Sequence, residues 1–208
     1  VSSPESDSSF PQLGTDESYV LTVPSDGGAA SLTAVTVFGA LRGIETFSQL
    51  VSFNRQTKQY AIGAAPVQIR DAPRYPHRGI MIDTGRRFFP PALVRQILDA
   101  MAYNKLNVLH LHFGEEGGFR VQSKRFPELT APPGKPPVRH YTQDDLASLI
   151  DYARLRGIRV VGEIDLPMHS SDLAPLAARG VEFCDPKLAI ELYNNPATNH
   201  TAEVLSEL

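Results

Sequence analysis

The chain has 208 residues, 42% of them hydrophobic and 21% charged, with a formal net charge of −3. That balance is ordinary for a globular protein and supplies no positive field for nucleic acid or an anionic membrane surface. No apolar run approaches the ~18 residues of a membrane span, and any signal peptide is expected to lie outside these residues, because Val1 follows neither a Met nor a charged n-region.

Residues 1–18 are rich in Ser, Pro and acids and read as a disordered or extended leader. Tyr19 to Val23 reads as a strand, Pro24 to Gly28 as a turn, and Ser31 to Val37 as the hairpin partner. Phe38 to Phe53 is expected to be helical. Leu41, Ile44, Phe47 and Val51 recur near a helical period, with Arg42 and Gln49 on the opposite face. Strand character returns over 59–70, so residues 19–70 read as a small α+β domain. Residues 71–76 carry two prolines, which disfavour regular structure, and read as a linker.

From residue 77 to 208 the pattern changes. Gly79 to Asp83 is a short apolar run ending in an acid. Pro90-Pro91 opens a helix with Leu93, Val94, Ile97, Leu98 and Met101 as its buried stripe. Asn107 to Phe113 is a second apolar run, with His110 and His112 on one face. A loop rich in Gly and Pro leads to about Tyr141. Thr142 to Asp145 resembles a capping box, followed by a stripe of Leu146, Leu149, Ile150 and Ala153. Gly157 is placed to end that helix in a left-handed conformation. Ile158 to Ile164 is the third strand, closing on Asp165.

A β-α-β-α-β order with buried strands implies α/β architecture with a parallel sheet. Both a doubly wound sheet and a (β/α)8 barrel fit. No glycine-rich phosphate loop follows the first strand, which argues against a dinucleotide site. A barrel needs about 250 residues, so the segment after the linker supplies roughly three strands of eight.

In either architecture chemistry sits at the carboxyl ends of the strands. The first strand end brings Asp83 and Arg86, the second His110, His112, Glu115 and Glu116, the third Glu163, Asp165 and His169. A planar guanidinium grips paired hydroxyls, and a carboxylate beside an imidazole orients the ring. Such a set suits a polar substrate. The plainer alternative, solvated charges at loop edges, is weakened because the fold gathers three strand ends. A rival reading takes His110 and His112 as zinc ligands of a barrel hydrolase, with His169 as a third. Cys184 stands alone and is either a buried thiol or the partner of a cysteine elsewhere. Asn199-His200-Thr201 is a glycosylation sequon, which fits export.

Several segments resemble the eukaryotic β-N-acetylhexosaminidases of glycoside hydrolase family 20. Gly39 to Leu50 resembles a helix of their small N-terminal domain. His77 to Arg86 resembles their first barrel strand, and Met101 to Asn107 the end of their first helix. Tyr152 to Val160 and Glu163 to His169 resemble the third strand and the loop after it. The resemblance implies an α+β domain followed by the first part of a (β/α)8 TIM barrel. It also implies hydrolysis of terminal non-reducing N-acetylhexosamine residues on glycans, without a cofactor or metal. The family uses the substrate's own acetamide as nucleophile, an exception to the two-carboxylate scheme.

By the same resemblance, Arg86 binds ring hydroxyls, Asp165 and His169 are the pocket Asp and His, and Glu115 and Glu116 replace two aspartates. Phe119 matches a phenylalanine that follows them. Gly114 replaces a larger residue, Leu111 a tryptophan, and Met168 the glycine of a Pro-Gly-His turn. The catalytic Asp-Glu pair is expected after the fourth strand, and no Gly-Gly-Asp-Glu motif occurs in these residues. This chain alone is therefore expected to be inactive, with the remaining barrel on further sequence or another chain. Family members are often dimers, and a lysosomal or secreted location is expected. The alternative is a catalytically inactive relative that serves as a structural subunit or sugar-binding module.

Overall fold

Alternation of buried and half-exposed residues along Tyr19–Val23 (β1) marks a strand with one face in a core. β1 pairs antiparallel with Ser31–Ala34 (β2) and with Val67–Asp71 (β5), setting Tyr19 opposite both Ala34 and Asp71. Helix α1 (Val37–Leu50) starts on the Thr36 side chain, which accepts from the backbone N–H of Gly39. Tyr19, Leu21, Val23, Leu32, Ala34 and Ala40 form the core of this layer, with Phe47, Ile62 and Ile69 packed against it. Between α1 and β5 lies a short antiparallel hairpin of Ser52–Asn54 (β3) and Gln59–Ala61 (β4).

The second sheet contains Gly79–Asp83 (β6), Val108–His112 (β7) and Arg159–Glu163 (β8), in that order. It is parallel. The Asn107 N–H donates to Arg78 O and Arg159 N–H to Asn107 O at one end; Thr84 N–H donates to His112 O and Phe113 N–H to Glu163 O at the other. Helices α2 (Pro91–Tyr103) and α3 (Gln143–Arg154) make the crossovers. The computed structural model describes residues 10–115, 118–165 and 169–179, and the backbone of the paired strands Glu182–Phe183 (β9) and Leu192–Tyr193 (β10). The chain divides into two compact units. One holds the chain up to Gly79 with Leu98–Val108 and Ala153–Arg159; the other holds Ile80–Ile97, Leu109–Tyr152 and the chain from Val160 onward.

The architecture agrees with the α/β expectation, and the differences have local causes. Residues 10–18 are not a loose leader: Glu17 is 5% exposed and pairs with Arg42 and Arg78. Arg42 does not sit on a solvent face of α1. It is buried, because its guanidinium finds Glu17 at 2.6 Å and the carbonyl of Gly157 at 2.7 Å. Ile44, expected inside, is exposed. The α2 stripe narrows to Val94, Leu98 and Met101, with Leu93 exposed; on α3 Leu149 and Ala153 are buried and Ile150 is exposed. The capping box is present: the Asp145 N–H donates to Thr142 Oγ1 at 3.0 Å, and the Thr142 N–H to Asp145 Oδ2 at 3.0 Å. Gly157 has φ +66°, as a left-handed helix end requires.

Candidate active site

Thr84, Gly85 and Arg86 form the turn after β6. Thr84 Oγ1 donates to His112 O at 2.7 Å, tying the turn to β7. Arg120, 8% exposed, donates to the carbonyls of Thr84 and Gly85, with Nη2 to Gly85 O at 2.8 Å. A buried guanidinium satisfied by backbone carbonyls locks the turn that carries Arg86. Nothing in the sequence pattern singled out Arg120.

Arg86 is held from two sides. Its backbone N–H donates to Asp83 Oδ1 at 3.0 Å, and its guanidinium pairs with Asp83 and with Glu115. Burial pushes the Asp83 carboxyl up, but the Arg86 N–H and guanidinium outweigh it and hold it below the usual carboxylate range. Arg86 itself is 59% exposed, so its end is open to a ligand.

Glu115 is only 2% exposed and is the hub of the pocket. Besides Arg86 it has His169 Nδ1 at 3.4 Å and His112 Nε2 at 3.9 Å. One atom each from Glu115, Asp165 and His169 lie within 4.8 Å of one another. The structure thus gathers Arg86, Glu115, Asp165 and His169. His169 has φ +53°, a left-handed backbone that a non-glycine residue adopts at a cost, and one that recurs at functional sites. Glu116, Met168, Cys184 and Asn199 lie outside the described residues.

Glu163 forms a second hub. His110 Nε2 pairs with it, and His112 Nδ1 lies at 3.2 Å. Burial raises the Glu163 carboxyl, but the His112 and His110 rings outweigh this and lower it. The zinc reading does not match this geometry. His110 and His112 do share a face of β7, yet both direct a ring nitrogen to Glu163. Among the described residues the ligand-type groups of suitable spacing are His112, Glu163 and Asp165, and Glu115, Asp165 and His169; neither contains His110. His112 pairs with Glu163 in the first group and His169 with Glu115 in the second.

A second residue missed from sequence is Asp172, on the 3-10 helix Ser171–Arg179. It is buried, and burial pushes its carboxyl up to about 7, with Glu115 adding to the rise and His112 opposing it. In the only Asp-Glu pair in the sequence, Asp16-Glu17, Asp16 is exposed and Glu17 belongs to the buried ion pairs of the α+β layer.

A family profile described as "Glycosyl hydrolase family 20, catalytic domain" matches residues 75–206, and one described as "beta-acetyl hexosaminidase like" matches residues 1–50. The beta-hexosaminidase subunit alpha of Bos taurus is 41% identical over 209 residues, covering 95% of this chain and 37% of that protein. The beta-hexosaminidase subunit beta of Mus musculus is 48% identical over 163 residues, covering 78% of this chain and 29% of that protein. Among solved structures, a chitobiase of Flavobacterium johnsoniae superposes with a TM-score of 0.80 at 30% identity, covering 96% of this chain and 31% of that one. The parallel sheet and these likenesses place the chain among the glycoside hydrolase families. Within that class the chain belongs to glycosyl hydrolase family 20. It spans little more than a third of the length of the bovine relative.

Proposed function

We propose that these residues form the sugar-gripping part of a β-N-acetylhexosaminidase that removes terminal non-reducing N-acetylhexosamine from glycans by substrate-assisted retention. The observation that carries this reading is the convergence of Arg86, Glu115, Asp165 and His169 at the ends of β6, β7 and β8. The Arg86 fork donates to adjacent ring hydroxyls. Glu115 and Asp165 accept hydrogen bonds from those hydroxyls, each as an acceptor-only carboxylate when ionised. His169, oriented by Glu115, links to the general acid. That acid and the aspartate that holds the acetamide belong to a segment outside these 208 residues. Glu116 is assigned to the same hydroxyl-binding set. The sequon at Asn199 supports an exported, lysosomal or secreted glycoprotein. Dimerisation belongs to the same family reading.

The test uses the full-length polypeptide that carries this chain. Aryl β-N-acetylglucosaminide and β-N-acetylgalactosaminide are the substrates, and the anomer released is read by proton NMR. Release of the β-anomer is expected, with a rate that falls as fluorine is added to the acetamide, because the acetamide oxygen is the nucleophile. Release of the α-anomer, or no dependence on the acetamide, sinks the reading. A second reading, sugar binding without hydrolysis, is favoured by the longer Glu115 and by the left-handed backbone at His169. It predicts binding of N-acetylglucosamine with no turnover.

A further inference from the structure

Asp172 is 8% exposed, and its Oδ2 has no hydrogen-bond partner among the described residues. A buried acceptor in that state is rare and calls for an explanation. The space it fills exists because residue 114 has no side chain: a Cβ on Gly114 would stand 2.7 Å from Asp172 Oδ2. Any other residue there would displace the carboxyl. Gly114 directly precedes Glu115, so the Asp172 carboxyl lies against the backbone that carries the hub of the pocket.

We propose that Asp172 is a positioning residue of this sugar pocket, seated in the slot left by Gly114 and holding Glu115 in place for Arg86, His169 and the sugar hydroxyls. The proposal rests on the sugar-binding reading above. Its chemistry follows from the surroundings. The charged groups that face Asp172 are Glu115 and His112, with Arg120 on the same side. Two neighbouring buried carboxyls do not both ionise readily. Below about pH 7 Asp172 keeps its proton, and its orphan oxygen can donate beside the Glu115 segment. When that proton leaves, a second negative charge appears next to Glu115 and works against the arrangement that Arg86 and His169 share.

The experiment uses the full-length polypeptide, with N-acetylglucosamine as the probe in calorimetry from about pH 5.5 to about pH 8.5. A parallel measurement follows the guanidinium nitrogen-15 signal of Arg86, which reports its pairing with Glu115 without any sugar. In the parent protein, affinity is expected to fall about tenfold as pH rises through about 7, the equivalent of one differential charge interaction. The Arg86 signal is expected to move with the same midpoint. Asp172→Leu loses about tenfold affinity at the acid end, and Asp172→Asn recovers most of that loss, because its amide is a permanent donor. The pH step vanishes in Asp172→Asn. Superposable parent and Asp172→Asn profiles, or full affinity in Asp172→Leu, would overturn the proposal. If Asp172→Leu does not fold, the Asp172→Asn profile decides alone. Absence of sugar binding with an intact Arg86 step would overturn only the sugar-binding reading; an Arg86 signal that does not move in the parent overturns the role of Asp172.

Discussion

Glu17 and Arg42 form a buried ion pair of 2.6 Å, with side-chain exposures of 5% and 3%. The same carboxylate accepts from Arg78 at 2.8 Å and from Asn107 at 3.0 Å. Burial pushes the Arg42 guanidinium down from its ordinary value, and Glu17 pushes it back up. Removing one member of a buried pair leaves an uncompensated charge, at about 3–5 kcal/mol. Glu17→Gln is expected to lose that much in urea unfolding. A loss under about 1 kcal/mol would place the pair among weakly coupled surface contacts.

Gly157 closes α3 with φ +66°, and a Cβ there would stand 3.1 Å from Arg42 Nη2 and 3.3 Å from Phe38 Cδ1. Gly157→Ala therefore meets both a backbone and a packing penalty. The expected loss is about 1–3 kcal/mol, read as a lowered Tm. An unchanged Tm would mean that the helix end relaxes freely.

Arg86→Lys keeps the charge and loses the planar fork that pairs with Asp83 and Glu115. Affinity for N-acetylglucosamine is expected to drop roughly tenfold to a hundredfold. Measured as kinetics on the full-length polypeptide, the change should appear mainly in KM. Parent-like KM in the lysine variant would remove Arg86 from hydroxyl recognition.

Asp172 makes stability depend on pH with a defined sign. Its carboxyl is held up at about 7 in the folded protein, whereas the unfolded chain releases that proton near pH 4. The folded state therefore binds more protons between these values, and stability falls as pH rises through that window. The full effect is on the order of 4 kcal/mol. Asp83 and Glu163 act in the opposite sense, since both are lowered: their contribution is lost as pH falls below about 4. The difference between parent and Asp172→Asn isolates the first effect. A difference in unfolding free energy between parent and Asp172→Asn that is the same at about pH 5 and about pH 7 would show that Asp172 is ionised throughout.

Thr142 and Asp145 cap α3 reciprocally. Thr142→Ala is expected to lose about 0.5–2 kcal/mol, measured by the same unfolding. The Asp145 carboxyl, lowered by the Thr142 hydroxyl and backbone N–H, should then titrate closer to its usual range.

The strands and helices of the parallel sheet were legible because each is short, apolar and bounded by turn residues. The alternation that places His110 and His112 on one face is real, but a shared face does not name the partner; Glu163 lies on another strand. Arg42 was misplaced for a related reason. Helical periodicity scores a guanidinium as polar, and only the fold reveals Glu17 and the Gly157 carbonyl beside it. Composition marks residues 1–18 as loose because one acid buried only in the fold, Glu17, cannot offset a run of small polar residues. Arg86, Glu115, Asp165 and His169 could be grouped because strand ends converge in a parallel sheet. Asp172 could not, since its burial depends on the missing side chain at Gly114.

The Arg42 network also orders events during synthesis. Arg42 leaves the ribosome soon after Glu17, but the carbonyls of Arg156 and Gly157 that complete its shell come 114 and 115 residues later. Until they arrive, water must satisfy the remaining donors of the guanidinium, and the α+β layer keeps that face wet. Contacts of such sequence separation form late, because the intervening loop must close first. A nascent chain that stalls before Gly157 would therefore hold its first sheet without its final anchor, and that species is the one a protease or chaperone would meet.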